Sequence, residues 1–132
     1  MANLFVLKNT RRQAAVKITG TGLANVTYTD IMYADQTIPL TSAGNLNWSI
    51  TDIAYDAGGS SNITRGGNVV FAMNAGQGLY NFAKDIGVSL NEQANANVQV
   101  NMGAVQGTLI IQFSKEAGFN DPDRQSLQPK DR

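Results

Sequence analysis

Cysteine and histidine are both absent from this chain of 132 residues. The first absence excludes a disulfide, a thiolate nucleophile and a sulfur-ligated zinc, and leaves the redox compartment open. The second removes the commonest general base and the commonest transition-metal ligand. Charge is scarce as well: charged residues make up 15% of the sequence and cancel to a formal net charge of zero, so no overall field favours nucleic acid or a membrane surface. No apolar run approaches the roughly 18 to 20 residues that cross a bilayer as a helix. The opening Met-Ala-Asn-Leu-Phe-Val-Leu-Lys has too short an apolar stretch, and no preceding positive region, for a signal peptide. The expectation is a protein made in a cytoplasm, not an enzyme, with no cofactor and no metal.

What the chain has in quantity is alternation. Val98, Val100 and Met102 alternate with Gln99 and Asn101, and Leu109, Ile111 and Phe113 alternate in the same way, the period-two signature of half-buried strands. Gly103 and Gly107 bracket the connection, so residues 97–115 read as a β-hairpin around which the remaining strands are organised. Ahead of it, Leu4 to Leu7, Ala14 to Thr19, Val26 to Tyr33, Leu46 to Ile53, Ile63 to Arg65, Asn68 to Met73 and Leu79 to Ala83 read as further strands. Thr37 to Leu40 belongs on an edge or in a loop, because Pro39 has no amide hydrogen for a ladder. Trp48, the lone tryptophan, is a core anchor, and Asp56 to Asn62 is the most loop-like internal stretch. Ser89 with Glu92 three residues on has the spacing of a capped short helix. About eight to ten short strands, separated by Gly, Asn, Asp and Ser, predict an all-β fold, an antiparallel β-sandwich or barrel, over residues 1–113. A chain this long buries roughly two-thirds of its unfolded surface, enough for a core without staples.

From Ser114 the composition turns polar, charged and proline-bearing, and residues 114–132 read as an extended C-terminal arm. Phe119, Arg124 and Leu127 are its candidate contacts with a partner protein. The locally basic N-terminal segment, with Arg11, Arg12 and Lys17 and with Lys8 beside them, reads either as a solvated face or as a second candidate contact, for an acidic protein surface.

Catalytic constellations are weak. Asp30, Asp35, Asp52 and Asp56 lack the Asp-x-Asp-x-Asp-Gly spacing of a calcium loop and read as turn caps. Ser60 and Ser61 have no histidine to activate them and no Gly-x-Ser-x-Gly elbow. Gly58-Gly59 and Gly66-Gly67 match neither a P-loop nor a dinucleotide fingerprint. Tyr28, Tyr33, Tyr55 and Tyr80 with Trp48 serve either as core aromatics or as a stacking platform for sugars or bases.

Leu7-Lys-Asn-Thr, Ala15-Val-Lys-Ile-Thr-Gly, Trp48-Ser-Ile, Ile63-Thr-Arg, Gly107-Thr-Leu-Ile-Ile and Gly118-Phe119 together resemble the small virion structural proteins of tailed bacteriophages, marine and cyanobacterial phages in particular. The resemblance implies a capsid decoration, or cement, subunit on the outside of the head, or else a neck or tail component of the virion. It further implies a major capsid protein or other virion protein as partner, homo-oligomers with a trimer favoured, and clamping by the terminal arm. The rival expectation is a carbohydrate-binding or receptor-binding β-sandwich module using Tyr33, Tyr55 and the loop from Asp56 to Asn62.

Overall fold

Strands form where the alternation is cleanest, and each strand shows one face to a shared interior. The computed structural model describes residues 2–10, 12–32, 47–92 and 95–115. Within them run β1 (Asn3–Asn9), β2 (Gln13–Gly20), β3 (Leu23–Val26), β4 (Trp48–Ala57), β5 (Ser61–Arg65), β6 (Asn68–Met73), β7 (Gly76–Asn81), the short α1 (Phe82–Ile86), β8 (Val98–Asn101) and β9 (Gly107–Lys115). Every strand pairing is antiparallel. The strands make two sheets, a five-stranded one in the order β1-β2-β9-β4-β7 and a four-stranded one in the order β3-β8-β5-β6. This interleaving, in which the chain passes repeatedly from one sheet to the other, is that of a jelly roll. The expected all-β antiparallel sandwich is thus the observed fold.

Between the sheets the interior is mostly hydrocarbon. Val16, Ile18, Ile50, Ile53, Leu109, Ile111 and Phe113 of the five-stranded sheet face Val26, Ile63, Met73, Val98 and Val100 of the other, all buried. Trp48 is buried as expected, its ring centroid 4.9 Å from that of Phe113. Each such side chain, truncated to alanine, costs about 2–5 kcal/mol through lost transfer energy and the cavity left behind.

The hairpin expected at residues 97–115 does not form. β8 lies between β3 and β5 in one sheet, and β9 lies between β2 and β4 in the other. Both strands alternate because each buries one face, but they bury it from opposite sides of the core. The chain crosses between sheets at Gly103, whose φ of 81° is reached readily by glycine alone. A Cβ on Gly103 would stand 2.5 Å from the Ser60 carbonyl oxygen, so the crossing also needs the missing side chain.

Other boundaries differ for local reasons. The strand expected from Val26 to Tyr33 stops at Val26, and a 3-10 turn follows over Tyr28–Ile31. Asp30 Oδ2 accepts the Thr27 N–H at 2.8 Å and so caps that turn. β4 extends to Ala57 and β5 begins at Ser61, which leaves only residues 58–60 of the expected loop. β7 begins at Gly76 and ends in α1 rather than running on to Ala83. Ser89 caps no helix; Leu90 forms a β-bridge with Ile50 instead. β9 continues through Ser114 and Lys115, whereas the remainder of the expected arm, with Phe119, Arg124 and Leu127, lies outside the described residues, as do Arg11, Tyr33, Asp35 and Thr37 to Leu40.

Candidate functional site

Registers place the outward side chains of the five-stranded sheet in rows. One row crosses all five strands: Phe5 pairs with Lys17, Lys17 with Ile110, Ile110 with Ala54, and Ala54 with Leu79. These residues sit out of phase with the buried set, which is why an apolar row faces outward. Leu79 is 79% exposed and Phe5 52%. Lys17 Nζ lies 6.0 Å from the centroid of the Phe5 ring, its aliphatic stem continuing the row.

The rows on either side are polar and carry little charge. Asn3, Thr19, Thr108, Asp56 and Gln77 align on one flank, and Ala15, Gln112, Asp52 and Asn81 on the other, where β1 contributes Lys8 beyond a bulge. Between Ile110 and Leu79 the small Ala54 floors an open depression of about 500 Å³, walled by Asp56, Gln77 and Thr108. Gln77 Nε2 donates to Asp56 Oδ2 at 3.4 Å across its rim. Charge on this face is divided by β9: Lys8 and Lys17 on the β1–β2 side, Asp52 and Asp56 on β4.

Of the sequence candidates, Lys17 belongs to this face. Arg12 does not: it is exposed in the turn before β2, where its carbonyl accepts the Lys115 N–H at 2.8 Å. Asp52 and Asp56 share the outward face of β4 but form no acid–base pair, and Asp30 is spent on its cap. Ser61 Oγ donates to the Met102 carbonyl at 3.1 Å, a structural bond between elements. Tyr55 and Tyr80 join Phe71 and Phe82 where β6 and β7 form the sandwich's edges, with ring centroids 5.3 to 6.3 Å apart. Among the described residues no three His, Cys, Asp or Glu side chains gather as a metal site, and no helix is long and apolar enough to cross a membrane.

Two buried cations escaped the sequence reading. Arg65 is 1% exposed; its Nη1 donates to the Trp48 carbonyl at 2.6 Å and its Nη2 to the Ala96 carbonyl at 2.8 Å, while the guanidinium lies 4.6 Å from the Trp48 ring. Burial lowers its pKa to about 10. Lys115 donates from Nζ to Asn9 Oδ1 and to the Thr10 carbonyl, both at 2.6 Å, and burial lowers its pKa to about 8. Both stand in an inward phase of their strands, and that position was the only available signal. Their bonds tie sheet ends and connecting segments together, a structural role.

No protein-family model matches the sequence, and no curated protein does. Solved structures similar to the chain include KdgF from Halomonas sp., with 11% identity, 87% of this chain and 79% of that one covered, and a TM-score of 0.39. A second is an RmlC-like cupin from Shewanella frigidimarina, with 15% identity, coverage of 88% and 78%, and a TM-score of 0.39. A third is a cupin superfamily protein from Desulfitobacterium hafniense, with 8% identity, coverage of 87% and 77%, and a TM-score of 0.35. These are not virion proteins, and the expected identity as a phage decoration, neck or tail subunit is corrected accordingly. The physical reason lies in the residues that carried the resemblance. Ala15 to Gly20 and Gly107 to Ile111 are paired segments of β2 and β9, Trp48 to Ile50 begins β4, and Ile63 to Arg65 ends β5. They are the alternating strands that this sandwich requires, and they encode architecture rather than a role.

Proposed function

We propose that the protein is a non-catalytic interaction module that engages protein through the outward face of its five-stranded sheet, and that it works as a homo-oligomer. The observation that carries this reading is the row Phe5–Lys17–Ile110–Ala54–Leu79, apolar apart from one ammonium group and aligned across every strand of the sheet. Water-facing sheets normally place polar side chains in this phase, and an apolar row rimmed by polar residues, exposed at Phe5 and Leu79 and half-buried at Ile110 and Ala54, is the kind of surface that marks a protein contact. The flanking amides and hydroxyls suit a wet rim that forms hydrogen bonds. A zero formal net charge leaves no long-range repulsion between copies.

Light scattering during size-exclusion chromatography tests the reading. The intact chain is expected to associate with rising concentration, and Ile110→Arg to elute as a monomer with an unchanged melting temperature. An intact chain that remains monomeric, or an Ile110→Arg variant that associates equally well, contradicts it.

A further inference from the structure

Resting on that reading, we infer that the outward sheet face binds a second copy of this chain, face to face, about a two-fold axis running roughly along β9. β9 is the central strand of five, with two strands on each side. A two-fold along it lays the β1–β2 half of one copy on the β4–β7 half of the other. Ile110 then meets the partner's Ile110 near the axis, and Phe5 meets the partner's Leu79. Lys17 lies over the partner's Ala54, its ammonium reaching between the partner's Asp52 and Asp56. The other in-plane two-fold, across the strands, sets Lys17 on Lys17 and β4 carboxylates on β4 carboxylates. Charge therefore selects the axis along β9, since opposite charges attract across such an interface and like charges there cost several kcal/mol.

Three features support a second copy as the occupant. The face is self-complementary under that one rotation, as an isologous interface must be. Lys17, Asp52 and Asp56 enter no ion pair among the described residues, so they stand available to pair across it. The dimensions also suffice: five strands spaced about 4.8 Å apart, and up to ten residues long, give a face of roughly 20 by 30 Å. That approaches the ~800 Å² per partner of a standard interface and predicts a dimer at the weaker end of the range.

Cysteine is absent from the chain, so single-cysteine variants report position without background. Sheets packed about 10 Å apart hold facing Cβ atoms beyond disulfide reach, which makes a short bismaleimide the appropriate probe. Ile110→Cys is expected to cross-link to a covalent dimer. Leu79→Cys alone is expected to stay uncross-linked, because the two Leu79 positions lie at opposite margins, about 20 Å apart. An equimolar mixture of Leu79→Cys and Phe5→Cys is expected to cross-link as a heterodimer. If Leu79→Cys alone cross-links efficiently, the axis runs across the strands and the inference falls, while the use of the face stands. If Ile110→Cys remains monomeric, the face is covered by something other than a second copy, and both the inference and the homo-oligomer fall. The double charge reversal Lys17→Asp with Asp56→Lys provides a check without cross-linking. Lys17→Asp alone is expected to weaken association at least tenfold and the second change to restore much of it; no restoration counts against the pairing.

Discussion

Lys115 shows how a single side chain couples this fold to pH. Its ammonium is buried at the end of β9, and desolvation lowers its pKa from 10.5 to about 8. Below about pH 8 the group is charged in both states, and the folded chain bears the full cost of burying it. Between about 8 and 10.5 the folded chain releases the proton while the unfolded chain retains it, so the unfolded state binds more protons and stability rises with pH. Denaturant titrations across this window should show that rise, and Lys115→Met should flatten it; a variant with the parent's slope would assign the dependence to another group. Arg65 is bound by geometry more than by charge. Its planar fork serves two carbonyls, on Trp48 and Ala96, and stacks on the indole at the same time, a combination that a lysine's point-like ammonium does not reproduce. Arg65→Lys should therefore cost about 2–4 kcal/mol in chemical denaturation. These two cations were illegible in the sequence because a charged residue in an inward phase looks like a break in alternation, and only the carbonyls it reaches explain it.

The elements themselves were largely legible, but their neighbours were not. Alternation tells which face of a strand is wet, and it gave β2, β6, β8 and β9 close to their observed limits. It does not tell which strand lies alongside, so β8 and β9 read as a hairpin although Gly103 carries the chain from one sheet to the other. Short polar caps were likewise outweighed by composition: β-branched and aromatic residues suggested a strand through Tyr33, whereas the Asp30 carboxylate turns the chain after Val26. Asp30→Ala removes that acceptor and should lower stability by about 1 kcal/mol, measured by thermal melting, with Ile31 loosened from the core. An unchanged melting temperature would show that the turn is held by packing alone. For the outward row the sequence did carry a signal. Leu109, Ile110 and Ile111 are three consecutive apolar residues in an alternating strand, and Leu4 to Leu7 is another unbroken run. In each run at least one apolar side chain must point outward, yet only the register of β1, β2, β4, β7 and β9 brings Phe5, Ile110 and Leu79 into one row with Ala54.

At the scale of the whole molecule, the jelly roll provides a filled core and two outward faces, and its chemistry lies on one of them. In the proposed dimer, attraction between the basic half and the acidic half of that face makes association sensitive to ionic strength, since exposed charges are screened within about 10 Å at 0.1 M salt. Sedimentation equilibrium should show the dimer weakening as salt rises from low to moderate concentration and then levelling off, because the apolar contribution of Ile110, Phe5 and Leu79 is not screened. A dimer strengthened throughout by salt would mean that hydrophobic burial alone drives it and that Lys17 is idle. The most direct measurement is a methyl NMR dilution series on the intact chain. The Ile110, Ala54 and Leu79 methyls should shift together with concentration while the buried methyls of Leu109 and Ile111 stay fixed; outward methyls that remain stationary across the whole series would contradict the account.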